Sequence, residues 1–110
     1  MKVEQKGHTA TIKDTQGDLV SFLMKVTHEY KSFEKFNIIL DISLCKDLTI
    51  KQINSFLPFI KMHAKAKKSI ILVADGVHFT NVPDHITIVP TLLEAHDIIE
   101  MDEIERDLGF

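Results

Sequence analysis

Apolar and polar residues along the chain switch between two periods, and the switches mark the elements. Lys2 to Lys6 and Thr9 to Lys13 flank Gly7-His8, with Ala10 and Ile12 alternating against Thr9, Thr11 and Lys13; this pattern around a short turn predicts a β-hairpin. Beyond Asp14-Thr15-Gln16-Gly17, apolar residues recur at Leu19, Phe22, Leu23, Val26, Tyr30 and Phe33. That is the spacing of one helical face, and Asp18 stands where a carboxylate complements the helix N-terminus. Phe36 to Ile42 is apolar and β-branched but too short for a typical helix, which predicts a buried strand. Helical spacing returns at Ile50, Ile53, Phe56, Leu57 and Ile60. Pro58 lies within it and, lacking a backbone N–H, must bend the helix or divide it, and a kink is expected there.

Ser69 to Ala74 is the most apolar run and follows a lysine cluster, as a central strand does when it leaves a helix C-terminus. Asp75-Gly76 breaks it, and Val77 to His85, with Asn81, Pro83 and Asp84, shows no period and reads as a loop or a single helical turn. Ile86 to Val89 is a short strand. Pro90-Thr91 opens a last helix whose apolar face is Leu92, Ala95 and Ile99, with Ile98 and Met101 at its edge. No repeat or low-complexity segment interrupts the order β, β, α, β, α, β, loop, β, α. Strands separated by helices require right-handed crossovers. An α/β fold follows, with a mixed, mostly parallel sheet of about five strands, an antiparallel hairpin at its edge and three to four helices.

Length and composition narrow this further. A chain of 110 residues with 45% apolar content fits one domain, 1–110, around a single core. Its apolar runs fall far below the ~20 residues that span a bilayer, and MKVEQKGH contains no signal-like stretch; a cytoplasmic protein that does not engage membranes is expected. The single cysteine, Cys45, excludes an intrachain disulfide and a multi-thiolate metal site. The net charge of −3 hides an asymmetry. Glu94 to Asp107 holds seven acidic residues against one arginine, a local charge of −6, which leaves +3 for the remainder.

Two segments carry a family resemblance. Ile38-Ile39-Leu40-Asp41-Ile42-Ser43 resembles the strand of STAS domains, the fold of bacterial anti-sigma-factor antagonists and of the cytoplasmic tails of sulfate transporters. There an apolar-apolar-apolar-Asp-Leu-Ser strand runs into a loop ending in Asp-Ser-Ser-Gly. Ile86-Thr87-Ile88-Val89-Pro90-Thr91-Leu92-Leu93-Glu94-Ala95 is similar to that family's final strand and Thr-x-x-Glu-Ala helix start. The element order matches over nearly the whole chain. The resemblance implies a STAS-like domain that regulates by binding protein partners, with a loop hydroxyl as phosphorylation target of a partner kinase; that position falls on Thr49. Leu48 stands where the family has a small hydroxyl residue, and Ile50 where it has glycine.

The chain is also similar to short bacterial proteins labelled ribonuclease Z. That chemistry needs a His-x-His-x-Asp-His cluster, because closely spaced ligands must converge on two zinc ions. The histidines here are at 8, 28, 63, 78, 85 and 96, so neither that zinc site nor its activity is expected.

The stretch NIILDISLCKDLTIKQ gathers the candidate site residues: Asp41, Ser43, Cys45, Asp47 and Thr49. Asp41 ends a parallel strand, where α/β sheets place ligands, and a carboxylate there also fixes turns by accepting loop amides. Cys45 adjoins Lys46, which would lower a thiol pKa on close approach; a buried, inert cysteine is the competing reading. Thr49 and Gln52 fit a capping box, as do Thr91 and Glu94. Thr49 is thus a helix cap, a phospho-acceptor, or both. Lys61, Lys65 and Lys68 recur on one helical stripe with Lys67 and His63 beside them, a solvated face without the aromatic or arginine contacts of a nucleic-acid site. The acidic last helix is placed to pair with that stripe within one molecule or across a homodimer, and Ile104, Leu108 and Phe110 either pack back on the core or dock on a partner.

Three functions remain. The first is a non-enzymatic STAS-like regulatory or protein-interaction domain in anti-sigma or related signalling, working without cofactor or metal through 41–49. The second is a carrier holding a small hydrophobic ligand between sheet and helices. The third, an enzyme, lacks a visible constellation of acid, base and nucleophile.

Overall fold

The computed structural model describes residues 1–75, 82 and 85–109. Strands β1 (Lys2–Lys6) and β2 (Thr9–Lys13) form the hairpin, with Lys6 opposite Thr9. Gly7 takes φ +58, the left-handed conformation a tight hairpin turn asks of its first central residue. Helix α1 (Leu19–His28) is capped by Asp18, whose carboxylate accepts the Ser21 amide at 3.2 Å. The apolar stripe predicts a helix reaching Phe33, but α1 stops at His28 and a 3-10 turn, Tyr30–Ser32, follows. In the tighter turn residues three apart eclipse, so Tyr30 and Phe33 still face the same core.

Strand β3 (Asn37–Asp41) is buried along its whole length. The long apolar segment after it is not one helix kinked at Pro58, as expected, but is divided into α2 (Ile50–Asn54) and α3 (Leu57–Ala64), with Pro58 in the first turn of α3. There its missing N–H is no loss, since first-turn amides have no partner inside the helix. β4 (Ile70–Val73), β5 (Ile88–Val89) and α4 (Leu92–Asp107) complete the described elements. The segment 77–85, read as a loop or single turn, lies outside the described residues apart from Val82 and His85.

The strands join in sequence order, β1-β2-β3-β4-β5, with the hairpin antiparallel and the remaining neighbours parallel. The mixed five-stranded α/β sheet is thus present. Side chains alternate across it. Ala10, Ile12, Ile38, Leu40 and Leu72 face α1, α2 and α3, where Phe22, Val26, Ile53, Phe56, Phe59 and Ile60 complete a first core. Ile39, Ile71, Val73 and Val89 face the other way and receive Ala95 and Ile99 of α4. Each such large apolar side chain contributes about 1.5–3 kcal/mol on burial. β1 stays exposed, and Lys2, Glu4 and Lys6 guard its free edge against further pairing.

His63 corrects the surface placement its lysine neighbours suggest, because it is fully buried. It follows Phe56 by seven residues and Ile60 by three, on the inward stripe of α3. The lysine stripe itself is broken, because α3 ends at Ala64 and Lys65, Lys67 and Lys68 lie beyond it. Among the described residues no helix is long and apolar enough to cross a membrane.

Candidate functional site

The five candidate residues sit where β3 leaves the sheet. Asp41 is buried, and its Oδ1 accepts the Ser43 amide at 3.0 Å and the Ser43 hydroxyl at 2.6 Å. This is the turn-fixing role open to a short carboxylate side chain. The chain then turns again, with the Cys45 amide donating to the Ile42 carbonyl at 3.0 Å. Asp47 takes φ +54, a left-handed conformation that Asp tolerates better than most residues.

Cys45 is buried, and its neighbour is an acid. Its thiol donates to Asp14 Oδ2 at 3.3 Å. Burial above all, then this hydrogen bond and the negative charges of Asp14 and Asp18, push the Cys45 thiol up to about 11. Lys46 is exposed and does not offset them. The lowered pKa that Lys46 would cause is therefore overturned, and the thiolate a nucleophile requires is scarce.

Asp14 is the residue that sequence reasoning missed. It is buried and gathers three donors: the Gln16 amide at 3.0 Å, the Gly17 amide at 3.1 Å and the Cys45 thiol. Its own amide donates to the Asp41 carbonyl at 3.0 Å. One side chain thus ties the loop after β2 to the loop after β3. The signal available in the sequence was Asp14 three residues before Gly17, a turn pattern that names no distant partner.

Thr49 caps α2. Its hydroxyl accepts the Gln52 amide at 3.2 Å, and Gln52 Oε1 accepts the Thr49 amide at 2.9 Å, which closes the capping box. Thr91 caps α4 in the same way on its hydroxyl side, accepting the Glu94 amide at 3.2 Å. Thr49 is nonetheless exposed, as are Asp47 and Leu44, the last at 48%. The loop therefore offers an apolar tip and two polar side chains on a frame in which Asp41, Ser43 and Cys45 are engaged internally.

Other predicted features fall elsewhere. No lysine of the 61–68 stripe pairs with an α4 carboxylate among the described residues; Glu103 instead meets His8 of the hairpin turn at 3.3 Å. Among those residues no three His, Cys, Asp or Glu side chains are grouped to hold a metal ion. The space between sheet and helices, the site expected for a carried hydrophobe, is lined by the side chains of the first core. An apolar groove of about 840 Å³ lies outside it, between α1 and α3, lined by Leu23, Met24, Pro58, Phe59 and Met62. Leu92, expected on the inward face of α4, is 40% exposed, and Ile104 and Leu108 face solvent instead of folding back, while Phe110 lies outside the described residues.

At the opposite end of β3 a polar cluster holds α4 to the sheet. Asn37 Oδ1 accepts the Ser69 amide at 2.9 Å and Arg106 Nη2 at 3.1 Å. The Ser69 hydroxyl donates to Asp102 at 2.7 Å and accepts Arg106 Nη1 at 3.0 Å.

No protein-family model matches the chain, and no curated protein is detectably similar to it in sequence.

Proposed function

We propose that this chain is a STAS-like, non-enzymatic interaction domain of a cytoplasmic regulatory system, of the anti-sigma-antagonist kind or related, and that it meets a protein partner through the end of β3, the loop 43–49 and the start of α2. One observation carries this reading. Asp41, Ser43 and Cys45 are occupied by structural hydrogen bonds, while Leu44, Asp47 and the capping Thr49 remain exposed on the frame those bonds help to fix. A surface held before binding loses little conformational entropy on docking, and an exposed apolar side chain ringed by polar ones is the composition of an interface centre. The resemblance of Ile38–Ser43 and of Ile86–Ala95 to STAS segments supports the same face. Thr49 is the position at which a phosphate would reset the interaction, since a dianion at the α2 N-terminus is tolerated by the helix and alters what docks there.

Affinity capture from native lysate, run in parallel with the wild-type chain and with Leu44→Asp, tests the proposal. A protein retained stoichiometrically by the wild type and lost with Leu44→Asp is the expected result. Capture indifferent to that substitution, or no stoichiometric partner at all, would overturn it.

A further inference from the structure

α4 carries a second apolar stripe on which no other described residue packs. At 100° per residue, Leu93, Met101, Ile104 and Leu108 fall within about 80° of one another around the helix axis, on the side opposite Ala95 and Ile99. They are between 58% and 73% exposed. Asp97 lies inside the stripe, and Glu94, Glu100, Glu105 and Asp107 border it. The groove between α1 and α3 has the complementary character. Its centre is Leu23, Met24, Phe59 and Met62, Lys25 and His28 join its lining, and none of the lining residues is acidic. Exposed Lys61 precedes Met62 on α3, and exposed Lys65 follows at the helix end.

We infer that the groove receives the acidic, apolar face of α4 from a second copy of this chain. The length fits: Met101 to Leu108 covers about 10 Å of helix, and the eight residues of α3 about 12 Å. The charge fits, because carboxylates border the stripe and cations border the groove. The same molecule cannot supply the helix. Its own α4 is packed on the other face of the sheet by Ala95 and Ile99 and tied there by Arg106.

Groove and stripe occupy opposite faces, so the contact is head-to-tail and propagates instead of closing at a two-fold dimer. This surface is distinct from the loop 43–49, and the inference stands or falls independently of the partner proposed for that loop.

Sedimentation of the full chain over a concentration series tests it. The wild type is expected to grow beyond dimer with concentration, less so at high salt. Met62→Glu disables the groove and Ile104→Glu the stripe. Each is expected to raise the dissociation constant at least tenfold, roughly the loss of a central interface side chain. An equimolar mixture of the two retains one intact groove and one intact stripe, and is expected to form a 1:1 heterodimer that does not grow. Thermal melting checks that the variants fold; Met24→Glu and Leu108→Glu, at other exposed positions, replace either one that does not. A wild type that stays monomeric, variants that assemble like the wild type, a mixture that forms no heterodimer, or a hydrophobic small molecule retained by the wild type and lost with Met62→Glu in native mass spectrometry would each overturn the inference.

Discussion

The Tyr30 hydroxyl stands 2.8 Å from His63 Nδ1, deep between the 3-10 turn and α3. The other ring nitrogen, Nε2, lies 2.9 Å from the Phe36 carbonyl. A carbonyl only accepts, so Nε2 carries a proton, and in the neutral imidazole Nδ1 receives the Tyr30 O–H. Burial favours that neutral form. Burial, with Lys68 adding to it and the Phe36 carbonyl opposing, lowers the His63 pKa from 6.5; burial, then Glu34, raises that of Tyr30, which keeps its proton to donate.

A pH dependence follows. The unfolded chain takes up the His63 proton at a higher pH than the folded one, so the contribution of His63 is complete above pH 6.5 and is lost as pH falls toward the lowered folded value. Urea midpoints measured at about pH 7.5 and about pH 5.5 are expected to show a drop on acidification. The His63 ring proton in NMR is expected to remain in its neutral position at pH 6.5, where a free imidazole is half protonated. Tyr30→Phe leaves Nδ1 buried without a donor and is expected to cost about 1–2 kcal/mol by urea denaturation.

Asp14 and Cys45 make a second test. With the thiol pKa near 11, alkylation of the native chain at mildly alkaline pH is expected to run about a hundredfold slower than that of the urea-unfolded chain, in proportion to the thiolate present. Asp14→Ala removes the acceptor of the Gln16 and Gly17 amides and of the thiol. It is expected to cost about 2–4 kcal/mol and to speed the alkylation, because the two end loops lose their shared tie.

Thr49 allows capping and signalling to be separated. Thr49→Ala is expected to cost about 1 kcal/mol, while Thr49→Asp keeps an N-cap acceptor and stays within a few tenths of wild type. If phosphate at this position resets binding, Thr49→Asp folds normally yet loses the partner captured by the wild type. If it holds that partner as well as the wild type does, Thr49 is a cap alone.

Arg106 anchors the end of α4 through Asn37 and Ser69. Arg106→Ala is expected to lower stability by about 1–2 kcal/mol, visible as a lower melting temperature. Arg106→Lys is expected to recover little, since two nitrogens of one planar group are engaged and an ammonium cannot reproduce their spacing.

What the sequence determined by itself is what closes over a few residues. The hairpin at Gly7-His8, the Asp18 cap, the Thr49–Gln52 box and the Thr91 cap all depend on neighbours within four positions, and periodicity separated the strands from the helices. Asp41 as a turn-fixing carboxylate was legible for the same reason, since its partner Ser43 is two residues away. The contacts that give the candidate site and the core their character span the chain: Asp14 to Cys45, Tyr30 to His63, Asn37 to Arg106, separated by 31, 33 and 69 residues. They exist because parallel strands bring their termini together at the two ends of one sheet, and because α4 covers the face that α1 to α3 leave open. Local pattern says that a helix has an apolar side but not which layer receives it. That choice placed His63 in the core, gave Cys45 an acid for a neighbour, and left Met101, Ile104 and Leu108 in solvent.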